Sequence, residues 1–201
     1  VPRVGSGVHR QLLSLGVLVT TADPLGDEGR TSLMVVPPED VCRAADGYRR
    51  ECHPAAFERL PAHMTVIYPY APPETWPELL PRLKETARAI VSFELRLTSW
   101  GGGPRGFAWV PEDPEPFMRM RAGFMAATPE EHRPKHEFRP HLTIGWSADG
   151  SLGEVWDRFR RDPVDQAFTI DHLWLCRAGR GGYWTLEHRL GLQGHSGNRD
   201  G

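Results

Sequence analysis

The chain carries one four-residue pattern twice, and this repetition constrains its fold more than any other feature of the sequence. The pattern is histidine, any residue, threonine and an aliphatic residue, at residues 63–66 (HMTV) and 141–144 (HLTI), 78 residues apart. Both copies lie in runs of β-branched and apolar residues that favour strands. Alternate side chains of a strand share a face, so each histidine faces the same way as its threonine. Two such strands side by side would bring two imidazoles and two hydroxyl groups together.

The same shift of 78 residues aligns more of the chain than these motifs. Residues 93–97 (FELRL) align with residues 171–175 (DHLWL), and the glycine-rich stretch 101–106 aligns with 179–184. Glycine-rich stretches of this kind are typical of hairpin turns. A repeat at a fixed separation indicates a duplicated architecture, and two copies favour two lobes related by a pseudo-two-fold axis.

Each half of the repeat predicts the order strand, helix, motif strand, helix, strand. The predicted helices cover residues 41–52, 74–90, 117–127 and 152–161, and the further strands cover residues 33–36, 93–97, 107–110 and 171–175. This order, with two hairpins, predicts a bilobal α+β fold with two mainly antiparallel sheets, flanking helices and a central cleft. We expect an N-terminal extension at residues 1–30, the two-lobed domain at 31–192 and a loose C-terminal tail at 193–201.

The paired motifs supply the groups that phosphoester chemistry needs without a metal. Imidazole titrates near neutral pH, so two histidines can act as general base and general acid. Threonine hydroxyls can donate hydrogen bonds to an anionic oxygen between them. A metal site is the weaker interpretation: His132 and His136 have helical spacing, but Pro134 breaks a helix that would align them. No metal or other cofactor is therefore expected.

Charge limits the size of the substrate. The formal net charge is −2, whereas proteins that grip long polyanions usually carry a basic balance. A nucleotide or an RNA end is the more suitable partner. Arg133, Lys135 and Arg139 form a small basic cluster before the second motif, which is either a solvated loop or a rim that attracts a phosphate.

The cysteines and the N-terminal apolar run indicate in which cellular compartment the protein is expected. The chain has three cysteines in no ligand-like spacing, which indicates reduced thiols. The apolar run at residues 11–19 resembles part of a signal peptide, but an N-terminal strand or extension is favoured because the run is short and weakly flanked. We expect a cytoplasmic monomer with no membrane partner.

Residues 61–70 (PAHMTVIYPY) and 138–144 (FRPHLTI) resemble the 2H phosphoesterase superfamily, and within it the bacterial 2′-5′ RNA ligase and RNA 2′,3′-cyclic phosphodiesterase family. The resemblance spans roughly residues 31–192. It implies an active site between two lobes and metal-independent hydrolysis of a cyclic phosphodiester to a phosphomonoester. It also implies that His63 and His141 are the base and the acid, in an order that the sequence leaves open, and that Thr65 and Thr143 hold the phosphate.

The chain departs from the family pattern just after the second motif. Many members carry an arginine two residues beyond that motif, where this chain has Gly145 and Trp146. Tyr68 is the symmetric counterpart of Trp146, since each lies five residues after its histidine. Strict alternation places both rings opposite the histidines, in the core, whereas a bulge would turn them into the cleft. In the cleft, the two rings would bind substrate by stacking a base. Arg139 would bind substrate through its positive charge.

This departure makes RNA ligase activity doubtful and leaves other functions open. The first alternative is a nucleotide- or RNA-binding module of the same fold with little turnover. The second is a phosphodiesterase for another specialised substrate, such as a cyclic oligonucleotide.

Overall fold

Helices and antiparallel strands alternate along residues 28–194, the part of the chain that the computed structural model describes. Most of the predicted N-terminal extension and C-terminal tail lie outside these residues. The strands are β1 (Thr31–Val35), β2 (Met64–Ile67), β3 (Phe93–Gly103), β4 (Gly106–Pro111), β5 (Leu142–Trp146), β6 (Gln166–Ile170), β7 (His172–Ala178) and β8 (Trp184–Gly191). The α-helices are α1 (Glu39–Cys52), α2 (Pro54–Arg59), α3 (Trp76–Ala89), α4 (Glu115–Ala127) and α5 (Gly153–Phe159).

The strands form one sheet in the order β6-β3-β4-β5-β2-β1-β7-β8, and neighbouring strands are antiparallel. The predicted α+β fold with mainly antiparallel strands is confirmed. The two predicted sheets, however, are two four-stranded halves of one sheet. They join through β2 and β5, whose ladder consists of the single pair Met64–Leu142. A junction this narrow lets the halves diverge on either side of it.

The sheet order has the predicted pseudo-two-fold symmetry. Outward from the junction, one half runs β5, β4, β3, β6 and the other runs β2, β1, β7, β8. Strand β1 belongs to the first sequence repeat but pairs with β7 of the second, while β3 and β4 form the hairpin between the repeats. The two repeats therefore exchange strands, and neither half of the sheet is made from one continuous half of the chain.

The helices cover one face of the sheet and bury their apolar sides against it. Helix α4 buries Phe117, Met120, Phe124 and Ala127, a spacing that keeps one stripe of a helix facing the core. A much smaller cluster of Met34, Leu60 and Cys176 lies apart from this core. Because Met34 follows Leu33, a member of the main core, it occupies the opposite face of β1. That opposite face is the one that carries the motif histidines and threonines.

A bulge interrupts β2 inside the first motif. Leu33 and Met34 are consecutive in β1, yet they pair with Ile67 and Thr65, so Val66 is an extra residue. Val66 and Ile67 are both fully buried, which places two consecutive side chains on the core side. The alternation of faces is therefore reversed beyond the bulge.

A matching bulge interrupts β5 inside the second motif. Phe107 and Ala108 of β4 pair with Gly145 and Thr143, which makes Ile144 the extra residue. Val66 and Ile144 are the fourth residues of their motifs. The duplication thus includes an irregularity of the backbone as well as the regular elements.

Several elements differ from their sequence predictions. The helix predicted at residues 74–90 is a 3-10 turn (Pro73–Thr75) followed by α3. The short helix α2 and the strand β6 were not predicted, because brief segments carry weak periodicity. Strand β8 is the second strand of the hairpin predicted around residues 179–184. None of the helices among residues 28–194 is long and apolar enough to cross a membrane.

Gly145 is expected to be essential for stability because the bulge directs it at the core. A β-carbon at this position would lie 2.6 Å from Cζ of Phe107 and 3.0 Å from Cβ of Cys52. We expect Gly145→Ala to lower the free energy of unfolding by about 1–3 kcal/mol through overpacking. Denaturant unfolding monitored by circular dichroism measures this change.

Gly47→Ala is the matched control. Gly47 lies in α1, and a β-carbon there meets no atom within 4 Å. This substitution is expected to raise the free energy of unfolding by about 0.5–1 kcal/mol, because alanine favours a helix over glycine. A Gly145→Ala protein as stable as the wild type would contradict the packing described at the second bulge.

Candidate active site

The site is built around the Met64–Leu142 pair that joins the two halves of the sheet. Extending this antiparallel register by one residue in each direction places His63 opposite Thr143 and His141 opposite Thr65. Directly opposed residues of antiparallel strands have β-carbons about 4.5–5.5 Å apart. Each histidine therefore lies across from the threonine of the other motif, and the four predicted residues converge on one face.

Burial distinguishes the two faces at this junction. The side chains of Met64 and Leu142 are fully buried in the core. The four motif side chains that flank them are only half-buried. They lie together on the sheet face away from the main core, where a small anion can contact both strands, and we call this the cleft face.

Each imidazole is held by a backbone carbonyl two residues before it. Nδ1 of His63 lies 3.0 Å from the Pro61 carbonyl oxygen, and Nδ1 of His141 lies 2.8 Å from that of Arg139. A carbonyl oxygen only accepts hydrogen bonds, so both Nδ1 atoms carry the proton in these bonds. Nε2 of each neutral ring keeps its lone pair and can accept a proton from a reactant.

Their surroundings keep both histidines neutral in the free protein. Burial lowers the pKa of His63 to about 4. The charge of Arg49, and that of His141 or His53 when either is protonated, lowers this pKa further. Burial also lowers the pKa of His141, against the raising effect of its carbonyl hydrogen bond. An anion bound between the rings would raise both pKa values, because it favours the charged form of each ring.

Tyr68 faces the cleft because the first bulge reverses the alternation in β2. Its hydroxyl accepts a hydrogen bond of 2.7 Å from Nη1 of Arg30, whose guanidinium carbon lies 5.9 Å from the ring centre. The ring of Trp184 lies 6.3 Å from it, centre to centre. The interpretation that this ring packs into the core is therefore wrong, since the extra residue Val66 places it on the side of Thr65.

Trp146 occupies the corresponding position in the other half. It pairs with Gly106, which lies on the same face of β4 as Ala108, the partner of Thr143. Its ring lies 6.1 Å from that of His53, and it is half-buried. The second bulge thus turns Trp146 to the cleft face, so its predicted place in the core is also wrong.

The side chain of Arg139, the third predicted substrate residue, points to a carboxylate. Its Nη2 lies 3.2 Å from Oε1 of Glu137, and both side chains are more than half exposed. Arg139 contacts the motif histidines through its backbone carbonyl, which holds His141. Its charge stays a candidate for attracting a substrate phosphate.

Sequence reasoning missed Arg49, which lies close to His63. It is 2% exposed, and it belongs to the buried stripe of α1 that also contains Val41, Ala45 and Cys52. An arginine in an otherwise apolar stripe is a signal that the sequence does carry. Among residues 28–194, no three histidine, cysteine or acidic side chains lie close enough together to hold a metal ion.

Comparison with known proteins identifies the family and the fold. The family model described as the 2′-5′ RNA ligase superfamily matches residues 37–182. No curated protein matches the chain. Solved structures match its fold over 83% of this chain and 99% of theirs, and they include a phosphoesterase (16% identity, TM-score 0.63) and TT0787 of Thermus thermophilus (24% identity, TM-score 0.62).

Escherichia coli LigT in complex with 3′-AMP is a further structure of the same fold, with 14% identity and a TM-score of 0.64 over 83% of this chain and 99% of LigT. These identities are low, and they establish the fold alone. The family model, in contrast, covers more than half of the chain and includes both motifs. The chain therefore belongs to the 2′-5′ RNA ligase superfamily, the 2H phosphoesterases.

Proposed function

We propose that this protein is a metal-independent phosphodiesterase that hydrolyses a nucleoside or RNA-end 2′,3′-cyclic phosphate to a phosphomonoester. The family supports phosphoesterase activity in general. The observation that carries the finer proposal is the register at the Met64–Leu142 pair, which sets each histidine opposite the other threonine. This arrangement gives a phosphate one proton acceptor, one proton donor and two hydroxyl ligands.

The proposed reaction needs only these groups and water. Nε2 of one neutral histidine removes a proton from water, and the water oxygen forms a bond to phosphorus. The bond from phosphorus to one ribose oxygen breaks, and the second histidine, protonated, donates its Nε2 proton to that oxygen. Thr65 and Thr143 donate hydrogen bonds to the non-bridging oxygens as their negative charge grows. The other ribose oxygen keeps the phosphate.

A substrate of nucleotide size agrees with the proposal. Structures of E. coli LigT contain 3′-AMP, ATP or phosphate, and a nucleotide or an RNA terminus is our proposed partner here as well. Tyr68 and Trp146 lie on the cleft face, each two residues after the end of its own motif. We propose that one or both rings stack a base, and that Arg139 contributes positive charge nearby.

The cellular compartment, the oligomeric state and the domain bounds of the enzyme are also proposals. All three cysteines are free thiols, and the pKa of Cys42 and of Cys52 is raised to about 11, mainly by burial. Unreactive thiols of this kind suit a cytoplasmic protein. We propose a monomer whose functional domain spans residues 31–192.

Replacement of either histidine tests the chemistry. In EDTA, the wild-type protein is expected to convert a 2′,3′-cyclic nucleotide to a monophosphate, as measured by phosphorus NMR. His63→Asn and His141→Asn should each lower kcat by about 10²–10⁴-fold, because each removes one proton-transfer step. Thr65→Val and Thr143→Val should lower kcat/KM by about 10–100-fold through loss of a hydrogen bond to a charged oxygen.

His136→Asn is the control, since His136 is exposed and lies outside the motifs. Loss of the wild-type activity in EDTA, or full activity in either motif variant, would refute the proposal. Tight binding of 3′-AMP without turnover of any cyclic phosphate would instead favour the binding-module alternative.

Removal of the Trp146 ring tests base stacking. Trp146→Ala should raise KM for a cyclic nucleotide by about 5–150-fold, which corresponds to the 1–3 kcal/mol of one stacked base. Trp146→Phe should keep most of the affinity, and Tyr183→Ala, at a side chain that is 56% exposed, should change nothing. An unchanged KM in Trp146→Ala would show that this ring does not hold the base, and Tyr68→Ala would then be measured in the same way.

A further inference from the structure

We propose that Arg121 of α4 is a ligand of the substrate phosphate, and that its guanidinium supplies a positive charge that neither motif strand carries. The proposal rests on the proposed function for the identity of the anion. Strands β2 and β5 contain no lysine or arginine. A cation that stabilises a bound phosphate must therefore come from another element of the fold.

Arg121 contacts both of the segments that carry the motifs. Its Nε donates a hydrogen bond of 3.0 Å to the carbonyl oxygen of Val66, the fourth residue of the first motif. Its guanidinium carbon lies 4.2 Å from the ring centre of Phe138, which precedes His141 by three residues. The guanidinium is therefore held between the first motif and the approach to the second.

The register between β2 and β5 explains the contact with the first motif. This register sets Thr65 opposite His141, and its next position sets Val66 opposite Pro140. Proline has no backbone N–H, so β5 cannot donate a hydrogen bond to the Val66 carbonyl oxygen at that position. Nε of Arg121 is the donor instead. The guanidinium is thus anchored at the position next to the Thr65–His141 pair, where we propose that the phosphate binds.

The charge of Arg121 has no carboxylate partner within residues 28–194. Its Nη1 and Nη2 atoms take part in none of the hydrogen bonds or ion pairs of these residues. Burial lowers the pKa of this guanidinium, whereas a nearby carboxylate would raise it. The other arginines beside the motifs, Arg49 and Arg139, are each paired with a carboxylate. Arg121 therefore carries a half-buried charge that an anion can neutralise.

The shape of a guanidinium suits this role. Its N–H donors form a rigid planar fork, so the Nη edge can donate two hydrogen bonds to phosphate oxygens while Nε stays bound to the Val66 carbonyl oxygen. In the proposed reaction, negative charge grows on the non-bridging oxygens as the water oxygen bonds to phosphorus. A positive charge held in place before the substrate binds stabilises that state, in addition to the two threonine hydroxyls.

Two substitutions separate phosphate binding from support of the backbone. Arg121→Gln keeps an N–H at the position of Nε, which can donate to the Val66 carbonyl oxygen, but it removes the charge and both Nη atoms. Arg121→Lys keeps the charge but has no donor at the position of Nε. A phosphate ligand predicts that Arg121→Lys is tolerated better than Arg121→Gln, whereas a merely structural role predicts the reverse order.

Binding of inorganic phosphate to the ligand-free protein, measured by titration calorimetry, is the first readout. Arg121→Gln should raise the Kd by about 10–100-fold through loss of charge-assisted hydrogen bonds, and Arg121→Lys by less than about 10-fold. Arg119→Gln is the matched control, because it removes the same charge from a side chain of α4 that is 67% exposed. It should leave the Kd nearly unchanged, since water and salt screen an exposed charge.

Two further measurements complete the test. In the wild-type protein, inorganic phosphate should shift the side-chain NMR signals of Arg121, and this experiment does not depend on the folding of any variant. With a cyclic nucleotide as substrate, Arg121→Gln should lower kcat/KM by about 10–100-fold, because the lost contact is also made in the transition state. Denaturant unfolding should show that Arg121→Gln is about as stable as the wild type.

The outcomes distinguish this inference from the proposed function. Unshifted Arg121 signals, equal phosphate affinity in Arg121→Gln and the wild type, or a greater loss in Arg121→Lys than in Arg121→Gln would each overturn the inference, even in an active enzyme. Phosphate binding that depends on the charge at residue 121, in a protein that hydrolyses no cyclic phosphate, would instead overturn the proposed function and leave Arg121 as a phosphate ligand.

Discussion

The single backbone pair between Met64 and Leu142 is the contact on which the site depends. It is the pairing between named strands that joins the two four-stranded halves, and an isolated bridge between Val91 and Gln193 links the segments beside β3 and β8. An antiparallel pair at this point places the residues before and after it face to face, so each histidine meets the threonine of the other repeat.

The two bulges give Tyr68 and Trp146 corresponding positions on the cleft face, as the strand pair does for the two histidines and the two threonines. Val66 and Ile144 are the extra residues, and each is followed by a second core-facing residue, Ile67 or Gly145. Tyr68 and Trp146, which come next, therefore lie on the cleft face. Gly145 accompanies the second bulge because Phe107 occupies the space that a β-carbon would need. Arg49 of α1 is buried, and it donates hydrogen bonds to the backbone segment that precedes His63.

Sequence periodicity predicted the duplicated α+β order, the motif strands and the convergence of four side chains, because these follow from a repeat that is visible in the residues. It could not predict where the ladder is interrupted. Bulges depend on the register with a partner strand, and that register is set by tertiary packing rather than by the β2 or β5 sequence alone. For the same reason Tyr68 and Trp146 could not be assigned to a face. Arg49 was missed because a helix pattern marks its position as apolar, and only its contacts with Ala56 and Leu60 explain the charge.

If both imidazoles act on one phosphate, product binding followed by NMR will show it most directly. The ring nitrogens of His63 and His141 would be titrated in the free protein and again in saturating 3′-AMP. We expect both pKa values to lie below 6.5 in the free protein and both to rise in the complex, since one bound anion stabilises both protonated rings. A response confined to one histidine, or two rings that titrate independently of the ligand, would contradict a shared phosphate site.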